Sequence, residues 1–148
     1  MIRGAIKDQK NRYQLWRIWD IEQPLILFIL LNPSHADDQY DDRTVKKLIS
    51  FSKKFAFGGF YLGNLYAYVT PYPSPEMFVC DDQTNIKHIE IMKKKCMKTV
   101  VGWGNLGTYP EWLKNIVCKP MCFGTNKNGT PKHPLYLPSN TKLQKYLD

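Results

Sequence analysis

The sequence feature that most constrains the fold is the uninterrupted apolar run from Leu25 to Leu31. This run is far shorter than the ~20 residues that a membrane-spanning helix needs. Continuous hydrophobicity, unlike alternation, is typical of a strand buried on both faces of a parallel sheet. Asn32-Pro33-Ser34 ends the strand, because proline cannot donate a hydrogen bond to a neighbouring strand. The run therefore predicts an α/β fold with helices on both faces of the sheet.

The rest of the chain alternates between strand-like and helix-like segments. Arg12 to Trp19 alternates large apolar with polar residues and is expected to form a half-exposed edge strand. Further buried strands of the parallel sheet are expected at 60–66, 99–103 and 120–123. Helices are expected over 43–57 with Asp42 as N-cap, from about 82 onwards, and over 109–117. The sequence thus predicts a single domain, residues 1–148, with three layers (α/β/α) around a mainly parallel four-stranded sheet.

The charge balance is basic. The chain has 21 Lys and Arg against 13 Asp and Glu, a formal net charge of +8. Nucleic acid is the commonest partner of such a surface, and a basic surface that serves only solubility is equally compatible with the charge alone. No long apolar segment follows the N-terminus, so we expect no secretory signal, no membrane partner and a cytoplasmic location.

The four cysteines contain no Cys-x-x-C pair. They stand at positions 80, 96, 118 and 122, a spacing that fits neither a disulfide framework nor a zinc site. We expect buried free thiols, no metal and no cofactor.

Ligands of open α/β sheets bind beyond the carboxyl ends of the parallel strands. Four unusual segments are expected on that rim: 32–37, 64–68, 103–105 and 133–138. Each segment alone is more typical of a turn or a strand end. Together they would bring two amides (Asn32 and Asn64), a glycine and the imidazole of His133 to one crevice.

Six motifs between Arg12 and Pro138 form a set. They are Tyr13-x-Leu-Trp-Arg-Ile-Trp19, Leu31-Asn-Pro-Ser-x-Ala-Asp37, Asp41-Asp-x-Thr44, Asn64-Leu-x-Ala-Tyr68, Trp103-Gly104 and His133-Pro-Leu-Tyr-Leu-Pro138. This set resembles the small bacterial and phage family DUF1643, over nearly the whole chain. The resemblance implies a family and no particular reaction.

Four of these motifs also follow an order found elsewhere. Asn32-Pro33 follows the first buried strand, Asn64 ends the second, Trp103-Gly104 ends the third, and His133-Pro134 follows the fourth. This order is similar to that of the uracil-DNA glycosylase superfamily. The resemblance implies a uracil-DNA-glycosylase-like fold and cleavage of the N-glycosidic bond of a modified or deaminated base, in DNA or in a nucleotide. The sequence departs from that superfamily in two places. Leu31 stands before Asn32 where the superfamily tends to have the x of a Gly-x pair, and Leu135-Tyr136-Leu137-Pro138 replaces the usual Ser-Pro-Leu-Ser segment that inserts into DNA.

The resemblance implies roles for eleven residues. His133 would donate a hydrogen bond to the departing base, and Asn32 would position water, so both are candidate catalytic residues. Asn64 would recognise one edge of the base through its amide. The residues expected to contact the base or ligand are Pro33, Ser34, Asp37, Asn64, Tyr66, Tyr68, Trp103, Gly104 and Tyr136.

Two alternative functions are open at the level of sequence. The first is a non-catalytic protein that binds nucleic acid or a nucleotide, because Asn32 cannot act as a general base. The second is a metal-dependent phosphoester hydrolase, in which an imidazole and several carboxylates hold Mg²⁺ or Mn²⁺. The residues concerned are His35, Asp37, Asp38, Asp41 and Asp42. The simpler interpretation of the same cluster is a helix N-cap followed by a solvated loop.

Overall fold

The computed structural model describes residues 1–77 and 81–147. The strands are β1 (Ile2–Lys7), β2 (Arg12–Ile18), β3 (Leu25–Leu30), β4 (Gly59–Asn64), β5 (Lys98–Val101), β6 (Met121–Cys122) and β7 (Gln144–Lys145). The helices are α1 (Arg43–Lys54), α2 (Gln83–Lys95) and α3 (Glu111–Ile116), with a 3₁₀ turn at Pro75–Met77.

The strands form one mixed sheet in the order β1-β2-β4-β3-β5-β6-β7. The four predicted buried strands lie together at its centre, with β3 parallel to β4 and β5, and β5 parallel to β6. β1, β2 and β7 add antiparallel pairings on the two sides. The prediction of a mainly parallel four-stranded sheet is therefore wrong. β1 exposes most of its residues and β7 has only two, so neither carries the hydrophobic pattern of a strand.

The prediction of an edge strand at Arg12 to Trp19 is also wrong, because β2 lies between β1 and β4. Its polar side chains Arg12, Gln14 and Arg17 are buried. Each has a polar partner inside the protein; Gln14 Nε2, for example, lies 2.8 Å from Nδ1 of His88 on α2. The alternating pattern predicted that these polar side chains are exposed to solvent. In the structure they are buried and form hydrogen bonds with distant segments of the chain.

Two hydrophobic clusters lie on opposite faces of the sheet. Alternate residues of β3 contribute to them: Ile26, Phe28 and Leu30 pack on the face covered by α1, and the residues between them on the face covered by α2 and α3. The prediction that the Leu25–Leu31 run is buried on both faces is confirmed for residues 26–31, whereas Leu25 is half-buried. The fold is α/β, with helices on both faces of the sheet.

The predicted N-cap of α1 is confirmed. Asp42 Oδ1 accepts a hydrogen bond of 2.9 Å from the Val45 N–H. α1 ends at Lys54, before the predicted position 57, and Ala56 follows with a left-handed φ of 65°. Asp82 caps α2 in the same way through the N–H groups of Thr84 and Asn85.

The cysteines differ in exposure. Cys122 is buried and Cys96 half-buried, but Cys118 is exposed, so the expectation of buried thiols is wrong for Cys118, which follows α3 at the surface. Cys80 lies outside the described residues. Within 1–77 and 81–147, no helix is long and apolar enough to cross a membrane.

A fully buried guanidinium holds the segment between β3 and α1. Arg17 Nε donates 2.8 Å to Asp41 Oδ1, and its other nitrogens donate to the backbone carbonyls of Trp16, Asp37 and Tyr40. Asp41 also accepts two hydrogen bonds from Arg3, on β1, whose side chain is partly exposed. This network ties the two N-terminal strands to the segment that leads into α1.

Replacing Arg17 by Met should lower the free energy of unfolding by about 3–5 kcal/mol, because it leaves buried carbonyls and a carboxylate without their donor. Arg3→Met is the matched control, since it removes a more exposed partner of the same carboxylate and should cost less than about 1 kcal/mol. Urea unfolding of both variants measures the difference. Equal losses would contradict the central role of Arg17.

Candidate functional site

A cleft of about 250 Å³ lies at the carboxyl ends of β3 and β4, next to the N-terminus of α1. Segments 70–73 and 133–135 contribute further walls. Six of the residues predicted to form the site line this cleft: Asn32, Pro33, Ser34, Asn64, Trp103 and His133. The parallel core of the sheet therefore brings together side chains from four distant parts of the sequence.

Asn64 presents a buried amide to the cleft. It is the last residue of β4 and only 2% exposed, and its Nδ2 has no hydrogen-bond partner in the described structure. Its backbone carbonyl accepts a hydrogen bond of 2.8 Å from Nδ2 of Asn85 on α2. The backbone is therefore fixed while the side-chain donor is unused, an arrangement suited to a ligand that accepts a hydrogen bond.

Trp103 is a second buried donor on the wall of the cleft. The side chain is almost fully buried, and Nε1 finds no acceptor among residues 1–77 and 81–147. Its ring packs against Tyr109 and Tyr146, at centroid distances of 5.5 Å and 5.7 Å. The indole is thus held in place by other rings.

His133 is held in one tautomer. Its Nδ1 accepts a hydrogen bond of 3.2 Å from the Leu135 N–H, so the proton of the neutral ring is on Nε2. Burial lowers the pKa of His133 to about 4, and the negative charge of Asp42 opposes that shift only in part. At neutral pH the ring is an uncharged hydrogen-bond donor.

Asn32 uses its amide donor on the protein itself. Nδ2 donates 2.8 Å to the Thr70 carbonyl, with longer contacts to the carbonyls of Pro33 and Tyr68. The side chain thereby ties the turn after β3 to the segment that forms one wall of the cleft. Only its Oδ1 is left for a ligand or a water molecule.

The other five predicted residues do not line the cleft. Asp37 accepts hydrogen bonds from the backbone N–H groups of Gln39 and Tyr40, which with nearby Lys7 lower its pKa. Gly104 has a φ of +79° and donates to the Pro131 carbonyl. Three tyrosines lie elsewhere: Tyr66 packs against the α2 and α3 side of the core, whereas Tyr68 and Tyr136 are exposed.

Two charged residues of the cleft are missing from the residues that the sequence predicted for catalysis and base binding. Arg12, at the start of β2, is 4% exposed, and burial lowers its pKa to about 10, so it stays charged at neutral pH. Asp42 caps α1 and also lines the cleft, where its charge raises the pKa of both Arg12 and His133. The sequence indicated Asp42 as a helix cap or a metal ligand, and Arg12 as part of a half-exposed edge strand. Neither interpretation placed the residue at the base-binding cleft.

The carboxylates around Asp42 are engaged separately. Asp41 pairs with Arg3 and Arg17, Asp37 holds a turn, and Asp38 accepts a hydrogen bond from Gln39. No group of three His, Cys, Asp or Glu with a metal-binding arrangement occurs in the described part of the chain. This geometry favours the structural interpretation of the acidic segment.

A family model described as "Protein of unknown function (DUF1643)" matches residues 12–135. Every residue that lines the cleft falls within that range. No curated protein and no solved structure shows a significant match.

The lowered pKa of the half-buried His133 should make the stability of the protein depend on pH. Its pKa is about 4 in the folded protein and 6.5 for an ordinary histidine, so the unfolded chain binds the proton first. This contribution should make the protein less stable as the pH falls from about 6.5 to about 4, and should be absent above that range. We expect ¹⁵N NMR of the ring to show an Nε2–H tautomer with a midpoint near pH 4. His133→Gln, which cannot titrate, should lack that part of the pH dependence; a midpoint at or above 6.5 would contradict the assignment.

Proposed function

The chain belongs to the DUF1643 family, and from the geometry of the cleft we propose that it binds a nucleobase and hydrolyses the N-glycosidic bond joining that base to its sugar, in DNA or in a nucleotide. The observation that carries the proposal is that a neutral histidine donor and an unpartnered buried amide, His133 and Asn64, line one cleft. The order of motifs similar to the uracil-DNA glycosylase superfamily supports the same reaction.

The reaction separates charge, and His133 is suited to stabilise the negative charge that develops on the departing base. As the N–C1′ bond breaks, its electron pair stays on the base, which becomes an anion, while positive charge develops on the sugar. Water then supplies hydroxide to C1′ and a proton to the base nitrogen. The Nε2–H of His133 donates to an oxygen of the departing base, and one such donor is typically worth ~10²–10³ in rate.

The unpartnered donors of Asn64 and Trp103 indicate which bases fit. A buried donor without an acceptor costs about 1–3 kcal/mol, which a ligand oxygen offsets. A deaminated base carries a carbonyl oxygen where the parent base carries an amino group. A carbonyl accepts from Asn64 Nδ2, whereas an amino group would place donor against donor. The site therefore favours keto bases over amino bases.

Asp42 supplies the carboxylate that position 32 lacks. Its Oδ1 is engaged by the N–H of Val45, and Oδ2 has no partner among the described side chains and backbone. We assign this oxygen to the attacking water and to the positive charge that develops at the sugar. Asn32 then acts as a positioning residue, because its amide holds the Thr70 segment.

The second candidate is a binding protein without catalysis. It is favoured by the engagement of Asn32, whose donor is used by backbone carbonyls. Both candidates share base recognition by Asn64 and differ in turnover. Substitutions that separate binding from rate decide between them.

We expect His133→Ala to lower turnover by ~10²-fold or more with little change in binding, because its hydrogen bond strengthens as the base gains charge. Asn64→Ala should reduce both rate and the preference for a keto base over the matching amino base. The measurement is base release from oligonucleotides and nucleotides that carry deoxyuridine or deoxycytidine. His35→Ala is the control, since His35 is exposed and does not line the cleft. If the wild-type protein binds these substrates but releases no base from any of them, the glycosidase is rejected and the non-catalytic binding protein is supported.

Asp42→Asn tests the carboxylate without removing the helix cap, because Asn caps as well as Asp does. Turnover should fall by about 10²-fold or more while the unfolding midpoint in urea moves little. Asp82→Asn, the same change at the cap of α2, should leave turnover unchanged. Equal rates for wild type and Asp42→Asn would exclude Asp42 from the reaction.

A further inference from the structure

Two arginines of β2 are buried, and they differ in how their donors are used. Arg17 donates to Asp41 and to three backbone carbonyls. Arg12 makes one side-chain hydrogen bond, from Nη1 to the Ala36 carbonyl at 2.9 Å. Its Nε is buried without a partner, and no ion pair to a described carboxylate involves it. The donors of Arg17 are satisfied within the protein, whereas Arg12 has donors without a partner.

A buried guanidinium with unsatisfied donors lowers the stability of the fold. A ligand in the cleft could accept hydrogen bonds from these donors. Arg12 lines the cleft and remains charged at neutral pH. A guanidinium presents five N–H donors in a planar fork that matches the oxygens of a phosphate or carboxylate. Its unused donors therefore point to an anionic group of the ligand.

The neighbours of Arg12 suit a phosphate. Three hydroxyl side chains line the same cleft, those of Ser34, Thr44 and Thr70. Thr44 lies in the first turn of α1, a helix of 12 residues, where backbone N–H groups and the helix dipole favour an anion. The negative charge of Asp42 opposes an anion in the cleft, and the positive charge of Arg12 acts in the opposite sense.

We propose that Arg12 binds a terminal phosphate of the substrate, so that the substrate is a free nucleotide. A phosphodiester is joined to the nucleic-acid chain on both sides, so the chain must leave the site in two directions. A phosphate monoester is joined only to its own nucleoside, so no chain has to leave the site on its other side. Arg12 is 4% exposed and lies on the wall of a small cleft, which fits the monoester. The choice of nucleotide over other phosphate monoesters rests on the proposed function.

The test compares four ligands that differ in phosphate. These are inorganic phosphate, deoxyuridine, deoxyuridine 5′-monophosphate and a single-stranded oligonucleotide with one internal deoxyuridine, each titrated by calorimetry. We expect the monophosphate to bind about 10- to 100-fold more tightly than the nucleoside, the range of a charge-assisted hydrogen bond. Arg12→Gln should abolish that difference and Arg12→Lys should keep part of it. Lys46→Gln removes an exposed charge from α1 and should retain the full difference.

A readout on the wild-type protein covers the case in which Arg12→Gln fails to fold. Inorganic phosphate should shift the amide NMR signals of residues around the cleft, Thr44 among them, and raise the unfolding midpoint. Equal affinity for nucleotide and nucleoside, or no effect of phosphate, would overturn the proposal. Tighter binding of the oligonucleotide than of the monophosphate would contradict the inference that Arg12 binds a terminal phosphate.

The proposal and the proposed reaction fail separately. Phosphate binding that depends on Arg12, without base release, supports the phosphate site and rejects the hydrolase. Base release from deoxyuridine at the same efficiency as from its monophosphate supports the hydrolase and rejects the phosphate site.

Discussion

The structure depends on the burial of one charge, the guanidinium of Arg17. Burying an arginine is costly unless its donors are satisfied and a carboxylate offsets its charge. Here Asp41 and three carbonyls meet both requirements. Three of these acceptors lie between β3 and α1, so the fold of that segment and the burial of Arg17 require each other. The turn that carries Asn32 and the cap that carries Asp42 flank this segment.

The central part of the fold was predictable because its residues obey simple rules. Leu25–Leu31 is apolar throughout, and two aspartates stand where helices begin, so β3 and the starts of α1 and α2 follow from the sequence. Among the antiparallel strands, β2 was predicted as a strand, but its place inside the sheet was not. Three of the four buried residues of β2 are polar (Arg12, Gln14 and Arg17). They are stabilised by partners distant in sequence, which no local pattern contains. β1 has too few buried residues to show a hydrophobic period.

The candidate site shows the same division. Asn64 ends a buried strand, and Trp103 and His133 come after buried strands. The rule that ligands bind at strand ends therefore predicts that these three residues lie near one another. Arg12 enters the cleft from the beginning of an antiparallel strand, to which that rule does not apply. The strand-end rule places the segments that contain Tyr68 and Tyr136 near the cleft, but it does not indicate the direction of a side chain, and both rings are exposed.

The double use of Asp42 limits what can replace it. Serine, threonine and asparagine cap a helix well but bring no negative charge, and glutamate brings the charge but is not among the favoured caps. Aspartate alone satisfies both the N–H of Val45 and the electrostatics shared with His133 and Arg12. We therefore expect a narrower set of acceptable residues at position 42 than at position 82, whose carboxylate caps α2 and does not line the cleft. A substitution at position 42 can therefore leave the start of α1 intact and still change the electrostatics of the cleft.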